Sequence, residues 1–154
     1  MSDRTATASR SETFSDLEMA AWVGFLRTHA ALVRELDDDL TREHGLPLSS
    51  FDVLMQLGLA EDGRLRMSQL ADAVLLSRSG LSRLVQRLVD QGYVERVECT
   101  EDARGAFAAL TEKGRAKLAE ARETHRAGVR ERFLDRLSEE EQRDLAEAWA
   151  ALGD

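Results

Sequence analysis

The stretch Leu76–Gly92, LSRSGLSRLVQRLVDQG, admits few folds. Leu81, Leu84, Val85 and Leu88 recur at spacings of three and four, so a helix gathers them into one buried stripe. Ser77 is placed to cap the helix start, and Gly92 can take the left-handed conformation that closes its end. The opposite face carries Ser79, Ser82, Arg83, Gln86 and Arg87, with no acid before Asp90. Arg can make paired bonds to a guanine edge or hold a phosphate, and Gln can pair with adenine. Such a face suits a DNA major groove. It equally suits a solvated amphipathic helix, and the flanking sequence weighs between the two.

Before this stretch, Ser68 is expected to cap a short helix over Gln69–Val74, with Leu70, Ala71 and Val74 inward. Leu75-Leu76 makes the turn, where many such turns carry Gly, and the pair reads as a helix-turn-helix. Arg64–Met67 is a short extended piece ahead of it. After it, Tyr93–Cys99 and Ala106–Leu110 are β-prone and enclose a turn-rich loop, Thr100–Gly105. That hairpin reads as a wing, whose tip at Arg104 and Gly105 could reach a minor groove.

The remainder reads as helix. Residues 1–13 are rich in Ser, Thr and charge and are expected to fray. A long helix, Ser15–Glu43, carries Trp22, Phe25, Leu26, Ala30, Val33, Leu36 and Leu40, and helices this long often reach a partner. Gly45 ends it. Ser49-Ser50-Phe51-Asp52 reads as a capping-box variant that starts a helix over Ser50–Ala60, with Phe51, Val53, Leu54, Leu57 and Leu59 apolar. Thr111 caps a helix running to about Leu137, with Ala116, Leu118, Ala119, Val129, Phe133 and Leu134 apolar and Gly128 a point of bending. Ser138-Glu139-Glu140-Glu141 is a full capping box. The helix it starts sets Leu145, Ala148, Trp149 and Leu152 on one face, which suggests an interface.

The order is therefore helix, helix, strand, helix, helix, strand, strand, helix, helix: a mainly α chain with a small β wing. Its 154 residues suit one domain. Within that domain, 15–45 and 111–154 are helical and 49–110 forms the winged lobe. The net charge of −8 at first argues against nucleic acid. However, Arg64–Phe107 holds seven basic and six acidic residues, so that segment is +1 and the remainder −9. A locally basic surface on an acidic body predicts weak non-specific affinity. The lone Cys99 excludes an internal disulfide and gives no zinc cluster. No apolar run reaches membrane-spanning length and no signal peptide is visible, so a cytoplasmic location is the default expectation.

Several motifs occur together and in order: Leu48-Ser49-Ser50-Phe51-Asp52-Val53-Leu54, Ser68-Gln69-Leu70-Ala71, the Ser77–Leu88 run, Gly92-Tyr93-Val94-Glu95-Arg96, Glu101-Asp102-Ala103-Arg104-Gly105 and Leu110-Thr111-Glu112-Lys113-Gly114-Arg115. Together they resemble the MarR family of winged helix-turn-helix transcriptional regulators, over nearly the whole chain from the first helix onward. The resemblance implies a homodimer joined by the terminal helices, with Leu17, Leu145, Trp149 and Leu152 at the interface. It implies binding to a palindromic operator, usually as a repressor, and release by a small molecule. It places DNA contacts at Ser68, Gln69, Ser77, Arg78, Ser79, Ser82, Arg83, Gln86, Asp102, Arg104 and Gly105, with Asp102 orienting the wing and Arg104 entering the minor groove. In the branch that answers urate and phenolics, a first-helix Trp and an Asp in a Phe-Asp-Val-Leu run help form the pocket. The chain is similar there, which implies an aromatic or anionic effector near Trp22, Phe25, Leu26, His29 and Asp52. It departs at Leu84, where such relatives can place a basic residue. Packing of Trp22 at an interface and capping by Asp52 are the plainer readings of those two residues.

An enzyme finds no support: no catalytic triad, phosphate loop or metal-ligand spacing stands out, and His29, His44 and His125 are scattered in ordinary surface or interface positions. No cofactor or metal is expected, since Glu43-His44 is too little for zinc. Cys99 lies in a wing strand, where it suits packing as a small hydrophobe. A winged-helix protein-interaction module without DNA binding is the second alternative. The acidic total favours it, and Arg83 and Arg104 argue against it.

Overall fold

The computed structural model describes residues 13–74, 76, 78–98 and 105–153, and of Arg78 only the backbone. Ser77, Cys99, Asp102, Arg104 and the expected frayed start up to residue 12 lie outside the described residues. The elements follow the expected order: α1 Asp16–His44, α2 Leu48–Leu59, β1 Arg64–Arg66, α3 Met67–Val74, α4 Arg78–Asp90, β2 Val94–Glu98, β3 Ala106–Leu110, α5 Glu112–Arg132 and α6 Glu139–Gly153. The chain divides into two units, residues 1–31 and 32–154.

In the first unit, α1 starts with a capping box formed by Ser15 and Glu18. Ser15 N–H donates to Glu18 Oε2 at 2.8 Å, and Glu18 N–H donates to Ser15 Oγ at 3.2 Å. Those bonds hold the Glu18 carboxyl below its usual range. Leu17, Trp22, Phe25 and Leu26 all stand exposed, Leu17 at 79%.

In the second unit, Gly45 at φ 61° stops α1, its N–H donating to Thr41 O at 2.9 Å. The start of α2 differs from the expected capping box. The helix begins at Leu48 behind Pro47, with no side-chain cap from Ser49 or Ser50, and Ser50 is buried. The leading N–H of Leu48 instead donates to Asp37 Oδ1 at 2.7 Å, a carboxylate one helix back. An anion at a helix N-terminus satisfies the same donors from outside the segment. Over about two turns α2 buries Phe51, Val53, Leu54 and Leu57, while Leu59 at its end is 69% exposed. Full burial of each Leu contributes about 1.5–3 kcal/mol.

The sheet is antiparallel in the order β1-β3-β2, with Arg66 opposite Phe107 and Phe107 opposite Val97. Period-two alternation turns Val94, Ala108 and Leu110 into the core. The other face carries Phe107, with the Arg66 and Arg64 guanidiniums 5.0 and 5.5 Å from its ring centre.

Thr111 caps α5 as expected, accepting from Gly114 N–H at 2.9 Å. Its buried line is Gly114, Leu118, Ala121 and Gly128, whereas Ala116 and Ala119 are exposed. The helix ends at Arg132, short of Leu137, and a 3-10 turn follows over Leu134–Arg136. Gly128 makes room for α1: a Cβ there would lie 2.7 Å from Leu36 Cδ2. One turn on, Arg132 pairs with Asp39 at 2.6 Å and Glu35 at 2.9 Å. The expected capping box of α6 is present, with Ser138 N–H donating to Glu141 Oε2 at 2.8 Å and Glu141 N–H to Ser138 Oγ at 3.2 Å. No residue of α6 is buried: Trp149 is 45% and Leu152 77% exposed, and Leu145 is half-buried.

Candidate nucleic-acid interface

The helix α4 folds as its pattern dictates. Leu81, Leu84, Val85 and Leu88 are all buried in the core, at 3% exposure or less. Its exit is a Schellman closure: Gly92 sits at φ 79°, its N–H donates to Val89 O at 2.9 Å, and Tyr93 N–H donates to Leu88 O at 2.9 Å. With that stripe inward, Ser79, Arg83, Gln86 and Arg87 stand exposed on the other face. The Gln86 amide donates to Asp90 Oδ1 at 3.0 Å, one turn on.

The helix-turn-helix partner α3 begins at Met67, so Ser68 is inside its first turn and is not the cap before it. Ser68 and Gln69 are exposed. Gln69 Oε1 accepts from Arg66 N–H at 3.1 Å, which ties the helix start to β1. Leu76 N–H donates to Ala71 O at 3.3 Å and closes α3.

A cleft of about 320 Å³ opens between the start of α3, α4 and the wing, lined by Arg66, Ser68, Ser82, Arg96 and Gly105 among others. Of the expected contact residues, Ser68, Ser82 and Gly105 meet here, while Ser79, Arg83 and Gln86 lie along the outer face of α4. Ser77, the Arg78 side chain, Asp102 and Arg104 fall outside the described residues. Two arginines of the cleft, Arg66 and Arg96, were not among the expected contacts. Period-two alternation through β2 was the available signal, since it aims Arg96 to the same side as Val94.

The residues expected around an effector fall in both units. In the first, the rings of Trp22, Phe25 and His29 form a ridge along α1, with centroids 6.1 and 6.0 Å apart. In the second, loss of solvent raises the Asp52 carboxyl above the ordinary range. The second unit also holds a cavity of about 300 Å³ lined by Met55, Val129 and Leu134 with Arg122, His125, Arg126 and Arg130. His125 stacks on Phe51 at 4.6 Å, and burial pushes its imidazole below the usual value. The sequence reading gave His125 only an ordinary surface or interface role. Arg122 Nη2 rests on Met55 Sδ at 3.3 Å, and Arg122 Nε is buried without a hydrogen-bond partner. Among the described residues, no His, Cys, Asp and Glu cluster could hold a metal, and no helix is long and apolar enough to cross a membrane.

Comparison with known proteins agrees with this architecture. Residues 44–105 match the model of the MarR family. An uncharacterized HTH-type transcriptional regulator of Bacillus cereus is 33% identical over 113 residues, 73% of this chain and 74% of that protein. The crystal structure of AbsC, a MarR family transcriptional regulator from Streptomyces coelicolor, superposes with a TM-score of 0.87 at 34% identity, covering 93% of this chain and 96% of its own. Sco3205, another MarR family transcriptional regulator from that organism, was solved in complex with DNA. It superposes at 0.86 with 33% identity, over 92% of each chain. With its helix-turn-helix, three-stranded wing and terminal helices, the chain belongs to the MarR family of winged-helix transcriptional regulators.

Proposed function

We propose that the protein is a homodimeric repressor acting in the cytoplasm, which binds a palindromic operator and is released by a small aromatic or anionic effector. The observation that carries DNA binding is the polar face of α4, where Ser79, Arg83, Gln86 and Arg87 stand in solvent above a fully buried stripe. Such a helix beside a wing can read major-groove edges while the wing reaches the flanking groove. The complex of Sco3205 with DNA supports the reading, as does the name of a partial relative, the HTH-type transcriptional repressor YetL of Bacillus subtilis, 35% identical over 74 residues. The test is a gel shift on the DNA upstream of the protein's own gene. A discrete, competitor-resistant band is expected. Its absence from that and every other palindromic duplex would favour the protein-interaction module.

The dimer reading rests on apolar side chains left in water. Leu17 in the first unit and Trp149 and Leu152 in the second are exposed in the single chain, and Leu145 is half-buried. An obligate interface buries on the order of 2,000 Å² or more. Sedimentation at micromolar concentration is expected to show a dimer alone, and a monomer there would overturn it.

The effector reading has two anchors. One is the Trp22, Phe25, Leu26, His29 and Asp52 set that the family resemblance implies. The other is the cavity beside Met55, whose apolar floor and three arginines suit an amphipathic anion. Release requires that the ligand prefer the arrangement that does not bind DNA. Titration with salicylate, urate and a panel of aromatic acids, following Trp fluorescence and operator release together, is expected to find a ligand that Trp22→Ala blunts. Equal release from wild type and Trp22→Ala, with loss in Arg122→Ala, would move the site to the cavity.

A further inference from the structure

Ser82 sits on the polar face of α4, yet unlike Arg83 and Gln86 it is only half-exposed. The Arg96 guanidinium from β2 reaches it. Arg96 Nη2 donates to Ser82 O at 3.2 Å and to Ser82 Oγ at 3.3 Å. The register explains how. Arg96 pairs with the buried Ala108, so its side chain leaves the sheet on the core side and turns toward α4. The carbonyl of a helix-interior residue has a second lone pair available beyond the helical bond. The hydroxyl beside it lets one charged nitrogen span two acceptors.

Alongside this bond, Leu81, Leu84 and Leu88 share one apolar cluster with Val94 and Ala108. The hydrophobic drive behind that cluster is itself non-directional. Beyond it lies the open cleft, whose wall carries both Ser82 and Arg96. A charge-assisted bond at that edge adds a directional contact midway along α4, away from its C-terminal closure.

We propose that Arg96 is a positioning residue that fixes the recognition helix relative to the wing, and that Ser82 is its anchor and not a base-reading side chain. The proposal rests on the DNA-binding reading above. Helix and wing engage neighbouring grooves together, so a change in the angle between them weakens both contacts. The consequence for specificity is distinct from that of Arg83. Losing a reader relaxes one base position, whereas losing the clamp relaxes the whole half-site.

The test uses the full chain with Arg96→Ala, Arg96→Lys and Ser82→Ala, measured by fluorescence anisotropy on operator and on singly substituted operators from 50 to 200 mM salt. Arg96→Ala is expected to weaken binding roughly tenfold or more, the scale of a lost charged hydrogen bond. Its slope of log affinity against log salt is expected to match wild type, because no phosphate contact is removed. Arg96→Lys keeps a charged donor on a shorter side chain without the planar guanidinium, and is expected to recover part of the loss. Ser82→Ala keeps the carbonyl, so it should keep the wild-type base profile. A salt slope shallower by about one in Arg96→Ala would make Arg96 a phosphate contact and overturn the proposal. So would loss of discrimination at a single base pair in Ser82→Ala. If the wild-type protein binds no duplex, the DNA reading fails, and the clamp is then judged on the free protein. Amide exchange is expected to rise in α4 and β2 of Arg96→Ala more than in the other helices, and unchanged exchange there overturns it.

Discussion

Replacing Gly114 by alanine is expected to destabilise the protein by about 3 kcal/mol, the upper end of ordinary overpacking. Gly114 lies in the first turn of α5, where alanine would normally gain about 1 kcal/mol in helix propensity. The sign is reversed by the neighbours. A Cβ at this position would overlap the Tyr93 carbonyl oxygen and lie 2.8 Å from Leu110 Cδ1. The Tyr93 carbonyl has no room to retreat. It accepts from Thr111 N–H at 3.1 Å, and Tyr93 N–H is held in the closure of α4. Thr111 in turn donates its hydroxyl to Gly92 O at 2.7 Å, and Lys113 Nζ donates to Gln91 O at 2.7 Å. The Leu110–Gly114 segment is thus a clasp between the exit of the recognition helix and the entry of α5. Relief of the overlap requires moving the two helices apart and breaking that clasp. Thermal unfolding should show a melting temperature lower by roughly 6–12 °C for a chain of this size. An unchanged or raised melting temperature would show that the two helices can separate freely.

Arg83→Ala and Arg104→Ala are expected to weaken operator binding through different terms. Arg83 is exposed at the centre of the α4 face, one turn from Ser79 and Arg87. A bidentate base contact there discriminates by ~1–3 kcal/mol, so its loss lowers affinity for the cognate site about 5- to 150-fold and leaves variant sites nearly unaffected. Arg104, outside the described residues, is assigned to the minor groove by the family resemblance alone. Its loss should lower affinity evenly across sequences and make the salt slope shallower by about one. Affinity measured on cognate and singly substituted duplexes at several salt concentrations separates the two. Wild-type binding by both variants would refute the winged-helix DNA reading.

Much of the fold was legible because its signals are local. The stripe of α4, the caps at Thr111 and Ser138 and the stops at Gly45 and Gly92 each depend on residues within one or two turns. Failures came where the partner is distant. Asp52 was read as half of a capping box because it stands three residues after Ser49, but Asp37 supplies the acceptor to Leu48 from eleven residues away. Leu59 belongs to the apolar pattern, but as the last residue of α2 it stays in solvent. Ala116 and Ala119, apolar by type, also stay exposed, while the buried line of α5 runs through Gly114, Leu118, Ala121 and Gly128. Gly128 was read as a bending point because nothing local reveals Leu36 against it.

The candidate interface divides along the same line. Periodicity alone determined which side chains of α4 face outward, because burying Leu81, Leu84, Val85 and Leu88 leaves Arg83, Gln86 and Arg87 no other direction. Only the tertiary structure decided which outward groups are already engaged. The Arg96 guanidinium takes the Ser82 hydroxyl from fourteen residues away, and the Tyr93 carbonyl excludes any side chain at Gly114. The physical reason is that helix periodicity is a property of neighbours along the chain, whereas hydrogen-bond partners and steric limits are set by segments that meet only when the core closes.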